Sequence, residues 1–169
     1  MIQRSSIEHK LVAVLMADVV GYSHLIGVDE DGTLRALKEH RVEVFAPSIA
    51  EHNGRIVKLM GDGLLAEFPS AVYAMSAAIE IQRAMATRNS AEGGRIDYRI
   101  GVHLGDVAVD EDDILEVAIS VAARLEAEAA PGGICLSDHM RAQIAGKLDL
   151  ELTDGEQAAL KNIDEPIRI

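Results

Sequence analysis

Leu11-Val-Ala-Val-Leu-Met-Ala17 is apolar without interruption, the signature of a central strand covered on both faces. From about Glu30 to His52, apolar side chains recur at Leu34, Leu37, Val42, Phe45 and Ile49, close to helical spacing. Pro47 predicts a kink or break in that run, and Asn53-Gly54 its end. Two short runs follow, Arg55 to Met60 and Leu64 to Phe68, and the Gly61-Asp62-Gly63 between them is a strong hairpin signal. Ser70 to Asn89 is the clearest helix, with Ser70 as N-cap and Val72, Met75, Ala78, Ile79, Ile81, Gln82 and Met85 on its apolar face. Asp97 to Val109 alternates as a strand does, with bends expected at Gly101 and Gly105. Ile114 to Ala129 reads as a helix closed by Pro131-Gly-Gly133, Ile134 to Leu136 as a short strand, and Ser137 as the cap of a helix running to about Ile144. Leu148 to Leu152 and Ile163 to Ile169 give weaker strand signals. This order predicts an α+β fold, with helices packed on one face of a mostly antiparallel sheet. No repeat or internal boundary interrupts it, so one domain over residues 1–169 is expected.

Charge narrows the partners. Against 16 Lys plus Arg stand 28 Asp plus Glu, a net charge of −12, which repels a nucleic-acid backbone and an anionic membrane alike. Any nucleotide site must therefore gather its cations locally and recruit metal. The single cysteine, Cys135, excludes an intrachain disulfide and reads as a core residue in a strand. No signal peptide precedes the short apolar run, and no stretch approaches the roughly 20 apolar residues of a membrane span, so a cytoplasmic location is expected.

Two aspartates carry the candidate chemistry. Asp18 closes the first apolar run in Ala17-Asp-Val-Val-Gly-Tyr22, and Asp62 lies in Lys58-Leu-Met-Gly-Asp-Gly63. Both stand beside glycines that let a ligand approach the backbone. Carboxylates presented this way suit hard divalent cations, which reach a protein through one or two carboxylates plus a substrate's phosphates. Taken singly, Asp62 reads as a hairpin-turn aspartate and Asp18 as an N-cap of the segment after Val19; together they favour a metal-dependent nucleotide site.

Asp18-Val-Val-Gly-Tyr-Ser23, Gly54-Arg-Ile-Val-Lys-Leu-Met-Gly-Asp-Gly63, Arg99-Ile-Gly-Val-His-Leu-Gly-Asp106 and Val121-Ala-Ala-Arg-Leu-Glu126 come in an order and spacing that resembles the catalytic domain of class III adenylate and guanylate cyclases. Pro131-Gly-Gly-Ile-Cys-Leu-Ser137 and Leu160-Lys-Asn-Ile163 resemble that family's later segments, so the likeness covers about residues 10 to 169. The resemblance implies a ferredoxin-like βαββαβ core with a C-terminal extension, and a head-to-tail homodimer with nucleotide sites at its interface. It implies that Asp18, Asp62 and the backbone carbonyl of Val19 hold two Mg²⁺ or Mn²⁺ ions per site, and that Gly21 and Tyr22 begin a phosphate cradle. Lys58 and Asp113 match the purine-selecting pair of adenylate cyclases, which favours ATP. Arg124 matches the arginine on the transferring phosphoryl group, and Lys161 the lysine on the terminal phosphates. A sensor or effector domain outside this chain is compatible with the same resemblance.

One span departs from the pattern. Where the family has Tyr-Gly-Asp-x-Val-Asn, this chain has Leu115-Glu-Val-Ala-Ile-Ser120, so Ser120 stands where an asparagine orients the ribose and Glu116 where a glycine is usual. Two alternatives therefore stay open: a regulatory nucleotide-binding or dimerisation module of low activity, and another metal-dependent nucleotidyl transferase such as a diguanylate cyclase. For the latter no Gly-Gly-Asp-Glu-Phe-like hairpin is found. Simpler readings attach to the rest. Lys58 alone reads as a solvated strand residue, Asp113 as part of the acidic run Asp110-Glu-Asp-Asp113, and Arg124 as a surface partner of Glu128. The 6 histidines have no ligand spacing and read as structural.

Overall fold

In the computed structural model, residues 9–91, 95–108, 112–148, 157–158 and 167–168 are described. The uninterrupted apolar run becomes β1 (His9–Val19), the middle strand of a five-stranded sheet ordered β2-β3-β1-β4-β5. After it come α1 (Tyr22–Val28), α2 (Glu30–His40), a π-helical turn (Arg41–Phe45) and α3 (Ala46–Glu51). The hairpin is β2 (Arg55–Met60) and β3 (Gly63–Phe68), followed by α4 (Ala71–Ala91) and β4 (Tyr98–Ala108). Beyond these lie α5 (Asp112–Glu128), β5 (Ile134–Leu136), α6 (Asp138–Ile144) and a separate pair, β6 (Gln157–Ala158) with β7 (Ile167–Arg168). All pairings in the large sheet are antiparallel except β4 with β5. The β-α-β-β-α-β order with strands arranged β2-β3-β1-β4 is a ferredoxin-like core, and everything from α5 onward extends it.

Successive side chains of β1 point to opposite faces, and both faces are buried. Ala13, Leu15, Ala17 and Val19 join Phe68, Ile100 and the helices α2 to α4 and α6 in the main core. Val12, Val14 and Met16 meet Leu65 and, from α5, Ala118 and Ala122. The expectation of helices on one face thus holds for the ferredoxin-like core, while α5 covers part of the other face. Gly101 and Gly105 make that covering possible. A Cβ at Gly101 would lie 2.3 Å from the Ala122 carbonyl and 2.4 Å from the Glu126 nitrogen, and one at Gly105 would lie 3.0 Å from the Ala118 Cβ. The bends expected there are replaced by an uninterrupted register with β1, from Val19 opposite Tyr98 to His9 opposite Ala108.

The segment from Glu30 to His52 differs from its periodicity in an instructive way. Leu34 and Val42 are 47% and 61% exposed, and the buried stripe runs instead through Thr33, Leu37, His40, Val44 and Ile49. Two of its members are polar and bonded: Thr33 Oγ1 donates to the Leu25 carbonyl at 3.1 Å, and His40 Nδ1 lies 3.0 Å from the Tyr98 hydroxyl. Pro47 causes no break. Proline lacks an N–H and crowds the carbonyl four residues back; the turn before it widens, with the Ala46 N–H donating to the Arg41 carbonyl.

Elsewhere the capping expectations match. Ser70 Oγ accepts from the Tyr73 N–H at 3.2 Å, and Ser137 Oγ from that of Met140 at 3.3 Å. Cys135 is buried beside Leu125, and burial pushes its thiol up to about 12. No helix among the described residues is long and apolar enough to cross a membrane. The strand expected at Leu148 to Leu152, beyond Leu148, and all but Ile167–Arg168 of that at Ile163 to Ile169 lie outside the described residues.

Candidate active site

Asp18 and Asp62 are brought together by strand register. Met60 pairs with Gly63 across the hairpin, so Gly61 and Asp62 form a two-residue turn in which Gly61 takes φ +51°, a conformation that costs glycine little. Gly63 pairs in turn with Asp18 near the end of β1. A Cβ at Gly63 would lie 3.0 Å from the Ala17 carbonyl and 3.6 Å from Asp18 Oδ1, so the bare position leaves room around the carboxyl. The two carboxyls are within hydrogen-bonding reach. Burial above all, then the hydrogen bond to Asp62 and its charge, and then Glu126, push Asp18 up from 3.8 to about 7. Opposing these, the Val19 N–H donates to Asp18 Oδ1 at 2.9 Å. Protonated Asp18 can donate to Asp62; with both ionised, the pair is an oxygen-only donor set whose repulsion a divalent cation would relieve. This chemistry fits Mg²⁺ or Mn²⁺. The N-cap reading of Asp18 falls away, because the residue capping α1 is Gly21, which adopts φ +68°.

Two charged residues missed in the sequence complete the surroundings. Arg99 sits opposite Asp18 on β4, and its buried Nε has no hydrogen-bond partner. Glu126 follows Ala118 and Ala122 at four-residue intervals along α5, with its backbone over Gly101. Burial raises its carboxyl, the Arg99 charge lowers it, and the Asp62 charge raises it again. The signal for both was present, since Arg99 opens one cyclase-like motif and Glu126 closes another; only the register across β1 and β4 brings them to Asp18.

Lys58 is exposed on β2 opposite Leu65, beyond a register shift after Ile56. Gly21 and Tyr22 open α1, following Val20, whose N–H donates to the Asp97 carbonyl at 2.9 Å. Ser120 is exposed on α5, and Arg124 is half-buried with its Nη1 enclosed and unpartnered; no ion pair between it and Glu128 is found among the described residues. Among the described residues neither Lys58, Ser120 nor Arg124 bonds to Asp18 or Asp62. Asp113 lies in the first turn of α5, with its side chain outside the described set, and Lys161 lies outside the described residues altogether.

No protein-family model matches the chain. The crystal structure of an adenylate/guanylate cyclase/hydrolase from Silicibacter pomeroyi is 42% identical and superimposes with a TM-score of 0.86, covering 96% of each chain. A Rhizobium meliloti protein provisionally named adenylate cyclase 3 is 41% identical over 168 residues, 98% of this chain; the chain spans 29% of that relative's length. The adenylyl cyclase CyaB from P. aeruginosa, at 22% identity and a TM-score of 0.78 over 96% of this chain and 93% of that one, shares the fold.

Proposed function

We propose that this chain, which belongs to the class III adenylate and guanylate cyclase catalytic domains, converts ATP to 3′,5′-cyclic AMP and pyrophosphate. The observation that carries the reading is the meeting of Asp18 and Asp62 at a β1 end and a hairpin turn, an oxygen-rich pair within reach of one another. Asp18, Asp62 and the Val19 carbonyl would hold two divalent cations. Bound there, such ions supply Lewis acidity at phosphoryl oxygens and acidify the attacking hydroxyl.

The chain's own residues orient the reaction. The ribose 3′-oxygen attacks the α-phosphorus as its proton passes to solvent water, and the bond to the pyrophosphate oxygen breaks, releasing pyrophosphate. The backbone N–H groups after Gly21 would receive phosphate oxygens; α1 has no side-chain cap to occupy them. Arg99, with an unspent buried donor beside Asp18, is suited to the same anion. Lys58 and Asp113 would read adenine: an ammonium can donate to the ring N1 and a carboxylate can accept from the 6-amino group, whereas guanine presents the reverse. Arg124 would neutralise charge developing on the transferring group, Ser120 would contact the ribose, and Lys161 would hold the terminal phosphates. Lys58, Ser120 and Arg124 make no hydrogen bond to either aspartate within the described residues, in keeping with sites shared across a head-to-tail homodimer.

Purified protein given ATP or GTP with Mg²⁺ or Mn²⁺ tests the proposal directly. Cyclic AMP should form, ATP should be preferred, and inactive Asp18→Asn and Arg124→Ala proteins should regain activity when mixed as heterodimers, since one site then carries neither defect. Absence of turnover with retained nucleotide binding would favour the second reading, a low-activity binding module. That reading draws on Ser120, since losing one positioned donor costs about 10²–10³ in rate.

A further inference from the structure

On the helix-covered side of the sheet, a cavity of about 30 Å³ lies against the Gly61–Asp62 turn, lined by Leu37, Arg41, Phe45, Asp62 and Tyr98 among others. Nucleotide-sized ligands occupy pockets of about 300 Å³ or more, so nothing of that class enters here. Its walls are nonetheless built with care. Tyr98 is buried with its hydroxyl 3.0 Å from His40 Nδ1, and its ring meets those of His40 and Phe45 edge-on at centroid distances of 5.8 and 4.9 Å. On an α-helix, residues five apart point about 140° away from each other. The π-helical turn, bonded from the Ala46 N–H to the Arg41 carbonyl, brings such positions into line, so His40 and Phe45 close on one tyrosine. The same turn starts at Arg41, which lines the cavity and forms no side-chain hydrogen bond or ion pair among the described residues. Tyr98 feels both Arg41 and Asp62: burial raises its hydroxyl most, Arg41 lowers it and Asp62 raises it.

We propose that Arg41, presented by the π-helical turn beside Tyr98, is a positioning residue for Asp62 that acts as a counter-charge across the shared cavity and not through a bond. Asp62 stands on a glycine-hinged turn and, once ionised, is repelled by Asp18. A positive charge lining the same cavity as Asp62 gives the carboxylate a counter-charge from the helix-covered side of the sheet. The proposal rests on the reading of Asp62 as a metal ligand.

Calorimetric titration with Mn²⁺ alone, on the full chain and on Arg41→Met, Arg41→Lys, Tyr98→Phe and Asp62→Asn, separates the two ideas. If both hold, Asp62→Asn loses Mn²⁺ binding, Arg41→Met weakens it about 10-fold, and Arg41→Lys recovers part of the loss. Tyr98→Phe should fall between wild type and Arg41→Met. In turnover assays Arg41→Met should lower kcat with an unchanged KM for ATP, because the residue does not contact substrate. Unchanged or tighter Mn²⁺ binding in Arg41→Met, with Asp62→Asn still defective, overturns the positioning role alone; tighter binding would mean that Arg41 acts only as a repelling charge. Unchanged binding in Asp62→Asn overturns the metal assignment itself. Arg41→Lys keeps the experiment decisive if Arg41→Met fails to fold.

Discussion

The two faces of the sheet are made by the same strands and differ in almost every other respect. One face carries Leu15, Phe68, Ile100 and Val102 under a nearly continuous helix layer. The other carries the charged Asp18 and Arg99, the glycines at 63, 101 and 105, and a smaller apolar cluster with α5. Alternation along a strand lets one sequence serve both ends, burying bulk on one side while bringing Asp18, Arg99 and bare backbone together on the other. Substitutions on the first face should therefore cost stability, and those on the second should cost chemistry.

The sharpest way to break that division is Asp62→Asn. Cyclic AMP formation should fall below detection, while thermal melting without metal should stay at or above wild type, since a repelling carboxylate pair is relieved. A lower melting temperature would assign Asp62 to the fold instead. Ile100→Ala, on the opposite face and fully buried, should cost about 2–5 kcal/mol in denaturant unfolding and leave Mn²⁺ affinity of the folded protein unaltered.

Gly101→Ala tests the boundary between the faces. Its Cβ would strike α5 backbone, which cannot rotate away, so a loss of about 1–3 kcal/mol together with reduced turnover is expected as Glu126 and Arg124 shift. Gly105→Ala meets the Ala118 Cβ at 3.0 Å and nothing else closer than 3.8 Å, and should do less of both.

The smallest effect should appear with pH. Asp18 takes up a proton near 7 when folded and near 3.8 when unfolded, so between these values the folded chain holds more protons. Its contribution to stability is complete below the lower value and lost as pH rises through the upper one. The metal-free melting temperature should accordingly decline from about pH 5 to pH 8, and Asp18→Asn should flatten that slope. Mn²⁺ affinity should rise over the same interval as the competing proton leaves.

Local patterns were legible where a single element decides them. The apolar run of β1, the glycine-flanked hairpin and the serine caps of α4 and α6 were all readable, because period, turn chemistry and capping are properties of neighbouring residues. What escaped depends on pairs far apart in the chain. The helix stripe passes through Thr33 and His40, which look polar until their partners Leu25 and Tyr98 are known. Gly101 and Gly105 look like bends until α5 is laid across them. For the candidate site, both aspartates were visible by motif, whereas Arg99 and Glu126 gained meaning only through the β1–β4 register and the pitch of α5.

That register also bears on how the protein acquires its site. Asp18, Gly63 and Arg99 are neighbours only because β1 has paired with β3 on one side and with β4 on the other. Such joining of distant segments is the slow part of folding, since loop-closure entropy is spent before the contacts return it. A chain emerging from synthesis can form its hairpin early, yet it cannot assemble the carboxylate pair with its arginine until β4 has been made and docked. Under the proposed metal assignment, divalent cations would need the finished pair and would act as a late latch, binding completed chains and passing over partly folded ones.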